Sequence, residues 1–342
     1  LHHGTEPLEY LLPALSLLAA LLGTFALRHY ALARKIMDIP NDRSSHTVPT
    51  PRGGGVAIVL TFLAALTFWQ AVQVVETHLF MALVPGGALI ALVGFWDDHS
   101  SLPAKVRLIF HLAASAWAVF WLGGWPVLDL GFGSLSWEWF GAGIAVLALA
   151  WAINLYNFMD GIDGLAGMEA VFVAASGAAL LWLRGADAMP LTLLAAASGG
   201  FLLLNWPPAK IFMGDAGSGF LGYALGVLAL HATTRGITTI WPWLILLGVF
   251  LMDATVTLLH RACLRQRVMS AHRSHAYQWA SRRAGAHQPV TLTILAINLF
   301  VLLPGAFAVL AWPTLALPIS IVVLASLAGL AWQQGAGRPE TL

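Results

Sequence analysis

The sequence predicts an all-α polytopic membrane protein with about eleven transmembrane helices, its N-terminus outside, its C-terminus inside, and one small outer β-hairpin near 127–139. Three observations predict this. Of the 342 residues, 59% are hydrophobic and only 10% charged, against ~25% charged in a soluble domain. Apolar runs approaching the ~20 residues that cross a bilayer as a helix recur at 8–27, 54–75, 79–96, 106–124, 140–156, 165–183, 190–204, 217–232, 240–259, 290–310 and 315–332. The basic residues are also sorted: of the 17 Lys and Arg, all but Arg184 and Arg235 fall in loops and helix ends on one side. That asymmetry marks the cytoplasmic side.

No long polar stretch interrupts these runs. Residues 8–332 read as one transmembrane domain, with an outer tail at 1–7 and a cytoplasmic tail at 333–342. The opening Leu1-His2-His3-Gly4 looks like the remnant of a purification tag. The formal net charge of +1 and the lack of a clustered basic surface argue against a nucleic-acid partner. The single cysteine, Cys263, excludes an intrachain disulfide. On the outer side, Val127 to Trp139 alternates apolar residues around Gly131-Phe132-Gly133-Ser134, the pattern of a hairpin. Trp121, Trp125, Trp241, Trp243 and Trp312 sit near outer helix ends, as interfacial aromatic belts do.

The polar residues concentrate on the inner side. Asn154-Leu-Tyr-Asn157-Phe-Met-Asp160-Gly-Ile-Asp163-Gly-Leu-Ala-Gly167 lies between two apolar runs. A plain turn needs one or two such residues. Here Asn154, Asn157 and Asp160 recur every third position and share one helical face. Polar side chains at that depth are costly and mark function. Asp97-Asp98-His99 closes the third span, with Lys105 and Arg107 just beyond. Adjacent carboxylates repel, and at a membrane face they call for a cation or a proton. His111, one turn deeper, reads as a packed core histidine.

Further clusters follow the same side. Asp38 to Gly55 contains Arg43, His46 and Arg52 before three glycines, suited to anionic phosphate oxygens. Lys210 precedes Phe212-Met-Gly214-Asp215-Ala-Gly217-Ser-Gly219, where a lone Asp among glycines at a helix start suits a hard cation. The basic loop 260–288 contains His272-Arg273-Ser274-His275, and Asp253 lies about two turns from the inner end of its span. Carboxylates able to hold Mg²⁺ beside Arg and Lys describe a phosphoryl-transfer site. At a membrane surface this implies one lipid-borne substrate and one soluble one.

In their order and spacing, Asp97-Asp98, Asn157-Phe-Met-Asp160-Gly-Ile-Asp163-Gly-Leu, Phe212-Met-Gly214-Asp215-Ala-Gly-Ser and the His272–His275 loop resemble the polyprenyl-phosphate N-acetylhexosamine-1-phosphate transferases. That family includes the undecaprenyl-phosphate GlcNAc-1-phosphate and phospho-N-acetylmuramoyl-pentapeptide transferases. The resemblance runs from Asp38 to about Gln288. It implies transfer of a HexNAc-1-phosphate from a UDP-N-acetylhexosamine to undecaprenyl phosphate with release of UMP, dependent on Mg²⁺ or Mn²⁺. By it, Asp215 is the metal ligand and Asp97, Asp98, Asp160 and Asp163 are the catalytic carboxylates. Asn157, Arg43, His46, Arg52, Lys105, Lys210, Asp253, His272, Arg273 and His275 contact substrate. His-Arg-Ser-His replaces the run of three histidines of the muramoyl-pentapeptide branch, and Lys105 stands further from the Asp pair than its counterpart there. Both departures favour UDP-GlcNAc or a 6-deoxy-HexNAc donor and the first membrane step of O-antigen or related surface-polysaccharide synthesis. The expected setting is the bacterial inner membrane, with the site on its cytoplasmic face and a homodimer compatible with the chain. The competing class is an ion- or proton-coupled transporter, which expects acids at mid-membrane and an internal repeat.

Overall fold

The computed structural model describes residues 6–40, 48–72, 76–124, 126, 128–131, 133–266 and 272–339. The chain is a helical membrane bundle. α1 (Glu6–Arg34), α2 (Gly55–Val72), α3 (Thr77–Ser100), α4 (Ala104–Leu122), α5 (Glu138–Met159), α6 (Leu165–Leu183), α7 (Met189–Asn205) and α8 (Asp215–Thr234) form its first part. α9 (Trp241–Leu246), α10 (Gly248–Cys263), α11 (Ala276–Ala284), α12 (Gln288–Ile297), α13 (Leu303–Ala311) and α14 (Ala316–Gln334) complete it.

Among the described residues, nine helices are long and apolar enough to cross a membrane. Each of the eleven sequence segments falls on helix, and two of them are not such spans. α7 has 17 residues, and the segment expected at 240–259 is divided at Leu247 into α9 and α10. The segment at 290–310 is continuous but contains a π-helical turn, Asn298–Leu302, between α12 and α13. The hairpin is present as two short strands, Leu128–Asp129 paired antiparallel with Ser134–Leu135. A second short antiparallel pair, Met37–Asp38 with Thr50–Pro51, leads into α2.

α8 is the hub. Most of its length is buried, and it packs on α2, α3, α4, α5 and α6. Its glycines allow this. A Cβ on Gly55 would lie 2.5 Å from the Gly217 Cα, so α2 and α8 cross with backbones in direct contact, as small residues permit in membranes. The core is filled by Phe62, Tyr156, Phe201, Phe220, Tyr223, Trp243 and Phe250, all nearly or wholly buried. Leu60, Leu92, Phe120, Trp182, Phe300 and Val322 point outward and are exposed. In water such a surface would aggregate; on a membrane-length helix it is the lipid face.

The up-and-down course brings the start of α2, the end of α3, the start of α4, the end of α5 and the start of α8 to one end of the bundle. Backbone bonds lock two of them. Gly53 and Gly54 donate to the Phe212 carbonyl at 3.1 and 2.9 Å, and Phe212 N–H donates to Pro51 at 2.8 Å. Gly164 N–H donates to the buried Asn205 side chain at 3.0 Å, and that side chain donates to the Ile211 carbonyl at 2.9 Å. The loop ahead of Asp215 is therefore fixed from both sides.

Candidate active site at the gathered helix ends

Three carboxylates and two guanidinium groups form the centre. Asp98, at the end of α3, accepts the backbone N–H of Asp215 at 3.0 Å and that of Ala216 at 3.3 Å. It thereby satisfies the free donors at the start of α8, where the helix dipole also favours an anion. Gly214 makes this approach possible: its φ of +79° and the 2.8 Å that would separate a Cβ from Asp98 Oδ2 both exclude a side chain. Arg52 bridges Asp98 Oδ1 at 2.7 Å and Asp215 Oδ1 at 3.0 Å. Arg107, from the first turn of α4, lies 2.5 Å from Asp97 Oδ2 and 3.6 Å from Asp215 Oδ2. Asp97 Oδ1 accepts Leu102 N–H at 2.6 Å, which fixes the α3–α4 turn.

Asn157 donates to Ser218 Oγ at 3.1 Å and ties the end of α5 to the first turn of α8. Asp160 follows immediately. Burial, then the negative charge of Asp215, push its carboxyl well above the usual carboxylate range, while Arg52 opposes them. Asn154 reaches His111 Nδ1 at 3.2 Å, so this histidine is hydrogen-bonded within the bundle.

Asp163 faces a different space. Its Oδ2 accepts Ala209 N–H at 2.9 Å, and its Oδ1 lies 3.1 Å from His287 Nδ1. Both residues line a cavity of about 550 Å³ together with Thr50, Pro207, Pro208, Phe212, Arg282 and others. The Asp97–Asp98–Asp215 centre and this cavity share the 206–214 loop as a wall.

The histidine loop is anchored from below. Asp253, buried in α10, accepts the N–H groups of Ala276 and Tyr277 at 2.9 and 3.0 Å and contacts His275 Nδ1 at 3.3 Å. Thr257 donates to the same carboxylate at 3.1 Å. Asp253 thus caps α11, and His275 is the buried N-cap residue of that helix. His272 stacks on His275 with ring centroids 5.0 Å apart. Burial, then His275, depress the His272 pKa to about 4. Arg273 is partly exposed, and its carbonyl accepts from Arg282 at 2.9 Å.

The structure therefore brings Arg52, Asp97, Asp98, Asn157, Asp160 and Asp215 to one centre and puts Asp163 at its flank. Lys105 and Lys210 are exposed and join none of the aspartates among the described residues. Arg107 occupies the basic position beside the Asp pair that the sequence assigns to Lys105. Arg43 and His46 lie outside the described residues. Sequence reading alone did not single out His287. Its only local signal is a helix start, a histidine before Gln288-Pro289.

Among the described residues, no three His, Cys, Asp or Glu groups are grouped as a ready metal cage; the arginines hold the carboxylates instead. The donor set nevertheless fits a hard cation of the Mg²⁺ type, which takes one or two carboxylates and completes its shell with water and substrate phosphate. Asp215 and Asp98 supply such oxygens beside a helix N-terminus.

A family model described as glycosyl transferase family 4 matches residues 80–233, a stretch that contains Asp97, Asp98, Asn157, Asp160, Asp163 and Asp215. A Bacillus subtilis protein named "Probable undecaprenyl-phosphate N-acetylglucosaminyl 1-phosphate transferase" is 30% identical over 290 residues, covering 83% of this chain and 80% of the relative. The Escherichia coli K12 undecaprenyl-phosphate alpha-N-acetylglucosaminyl 1-phosphate transferase is 29% identical over 280 residues, covering 76% and 73%. A phospho-N-acetylmuramoyl-pentapeptide-transferase of Moorella thermoacetica is 30% identical over 226 residues, covering 61% and 68%.

Proposed function

The chain belongs to the polyprenyl-phosphate sugar-1-phosphate transferases of glycosyl transferase family 4, and from that membership we propose that it transfers a HexNAc-1-phosphate from UDP-GlcNAc, or a 6-deoxy-HexNAc relative, to undecaprenyl phosphate. An oxygen of the lipid phosphate bonds to the phosphorus that bears the sugar. The bond from that phosphorus to the bridging oxygen breaks, and UMP leaves with the electron pair. The product is undecaprenyl-diphospho-HexNAc, the primer of O-antigen or a related surface polysaccharide. The reaction runs on the cytoplasmic face of the bacterial inner membrane.

The observation that carries this reading is the ring of Asp97, Asp98 and Asp215 held by Arg52 and Arg107 at the start of α8. The lipid phosphate is already an anion, so the barrier is bringing one phosphate against another. Arg52 and Arg107 supply positive charge for both, and the first N–H groups of α8 add a fixed dipole. Asp215, with Asp98 or Asp97, would hold Mg²⁺ or Mn²⁺, which neutralises the diphosphate and stabilises the UMP leaving group when bound.

The 550 Å³ cavity takes the nucleotide. Phe212 is among the residues that line it, and a base stacks on such a face. We assign Asn157 and Asp160, which stand beside the carboxylate centre, and the His272–His275 loop to the diphosphate and sugar. Asp253 acts by holding α11. Because the site carboxylates stand at helix ends on one side of the bundle, they suit surface transfer better than passage of ions.

The test is UMP release by detergent-purified protein given undecaprenyl phosphate and a panel of UDP-HexNAc donors. Turnover with at least one donor, dependent on both substrates and on Mg²⁺, is the expected result. No release with any donor would overturn the reading.

A further inference from the structure

We propose that Tyr277 is a positioning residue of the transfer reaction: its hydroxyl braces the backbone on both sides of Asp160 and so sets where that carboxyl stands against the Asp98–Asp215 centre. This rests on the proposed function and adds to it a residue that acts through Asp160.

The need arises at the end of α5. The helix stops at Met159, and Asp160 leaves it with φ −87° and ψ 52°. The last carbonyls of a helix lack intrahelical partners and are met from elsewhere. Asp160 N–H turns back to the Asn157 carbonyl at 3.3 Å. The Phe158 carbonyl is met by Tyr277, whose hydroxyl donates to it at 3.0 Å. On the other side of Asp160, a Cβ on Gly161 would overlap the same hydroxyl. Gly161 does not have a positive φ, so close approach, not conformation, excludes a side chain there. One oxygen atom thus abuts residues 158 and 161, and Asp160 lies between them in the chain.

Tyr277 is itself immobilised. It is the second residue of α11 and is 3% exposed. Its N–H donates to Asp253 Oδ2 at 3.0 Å. Its ring stacks on His275, with centroids 5.8 Å apart, and the His275 ring also packs on Phe158 at 6.1 Å. The first turn of α11 therefore grips the end of α5 through a hydrogen bond and ring contacts. Buried and committed to a carbonyl, the hydroxyl acts through the chain it holds. That chain matters, because the charges of Asp215, Arg52 and Asp98 all act on the Asp160 carboxyl. In such a site a displacement of about 1 Å can cost on the order of a hundredfold in rate.

The competing reading is that the hydroxyl only satisfies a buried carbonyl and holds α11 in place. Two substitutions separate the readings. Tyr277→Phe removes the hydroxyl and keeps the ring. Gly161→Ala adds the Cβ that the hydroxyl excludes. Without the hydroxyl, that Cβ would meet the ring Cζ at 3.1 Å and Gln278 Nε2 at 3.2 Å, contacts that small shifts relieve.

The experiment measures kcat and both KM values, with undecaprenyl phosphate and the donor that wild type turns over, for wild type, Tyr277→Phe, Gly161→Ala and the double variant. Melting temperatures and amide hydrogen exchange are read on the same samples. Tyr277→Phe should lower kcat about tenfold with both KM values within about twofold, the pattern of a loss felt in the transition state. It should melt within about 4 °C of wild type. Exchange should rise across 157–163 and stay at the wild-type level across 276–284. Gly161→Ala should lower kcat at least as far, and the double variant should be no slower than Gly161→Ala alone, since the two changes share one contact. A wild-type kcat in Tyr277→Phe overturns the inference and leaves the proposed function standing. Faster exchange throughout 276–284 assigns the hydroxyl to holding α11 and also overturns it, as do losses that multiply in the double variant. Should Tyr277→Phe fail to fold, Gly161→Ala decides, and a wild-type rate there overturns the inference. If wild type turns over no donor, the proposed function falls and this role with it.

Discussion

Asp98 accepts the backbone N–H of Asp215 at 3.0 Å, so the end of α3 caps the start of α8 and places two carboxylates against one guanidinium, that of Arg52. Asp98 thus holds the helix start as well as belonging to the site, whereas the Asp215 side chain caps nothing, and their substitutions should separate in stability. Asp98→Ala removes a cap and should cost about 1–2 kcal/mol of stability. Asp215→Asn keeps the helix start and removes the charge between two phosphates. It should melt near wild type and release no UMP. A thermal-shift series with UMP assays checks both; wild-type turnover by Asp215→Asn would move the metal to the Asp97–Asp98 pair.

Arg107 touches Asp97 and approaches Asp215, from the first turn of α4. Arg107→Gln should leave folding largely intact, since the side chain is a third exposed. Turnover should fall at least tenfold, the scale of one lost charge-assisted contact in a transition state. Lys105→Gln, on an exposed side chain, should change it little. The comparison of kcat and KM for the two variants decides which basic residue serves the Asp pair.

The bundle was legible because membrane helices declare themselves: hydrocarbon demands long apolar runs, and each of the eleven falls on helix. The break at Leu247 was not, since Trp241 to Leu251 is apolar throughout and nothing in it but Pro242 and Gly248 marks a stop. The carboxylate centre was legible from Asp97, Asp98 and Asp215, because acids at membrane helix ends have few other reasons to exist. Its arginines were less so. Lys105 and Arg107 stand two positions apart at the start of one helix, so they point about 200° apart around it, and the sequence does not tell which faces inward. Asp253 and His275 show a different limit. Their residue types suit a substrate, yet they bond one another and the start of α11.

The Asp253 carboxylate holds two backbone N–H groups, His275 and Thr257 in a buried site. Asp253→Ala leaves those donors unpaired and should destabilise the protein by about 2–4 kcal/mol, at 1–3 kcal/mol for each unsatisfied buried group with partial relaxation. The loss should be local first. Limited proteolysis should cut within 272–284 before any other described segment, and Asp253→Asn should be intermediate. Protection equal to wild type would mean that α11 is held by its other contacts.

His272 gives the stability a pH dependence of known sign. Its folded pKa is depressed to about 4 by burial and His275, against ~6.5 in an unfolded chain. Between these values the unfolded state binds the extra proton, so stability falls as pH falls through that window. Above ~6.5 the contribution is constant. The melting temperature of wild type should drop between pH 6.5 and 4, and His272→Gln should flatten part of that slope. An unchanged slope would assign the acid sensitivity elsewhere.

Glu169 and Asn298 pose the last test, within the bundle and away from the site. Both are completely buried, Glu169 on α6 and Asn298 at the first residue of the π-helical turn. Asn298 Nδ2 donates to Glu169 Oε2 at 2.6 Å, while Glu169 Oε1 and Asn298 Oδ1 have no hydrogen-bond partner among the described residues. Polar atoms without partners in an apolar interior are costly. Glu169→Gln puts an N–H₂ group where Oε1 stands. The two amides can then close a ring, one donating each way, and satisfy both orphaned oxygens. This variant should be at least as stable as wild type. Glu169→Ala removes the one partner, among the described residues, of the Asn298 amide apart from the Met168 sulfur at 3.9 Å, and leaves a void. It should cost about 2–4 kcal/mol. Donor turnover by the Gln variant should match wild type, since neither residue reaches the carboxylate centre. A Gln variant less stable than Ala would show that the acid itself, and not its shape, holds α6 to the turn.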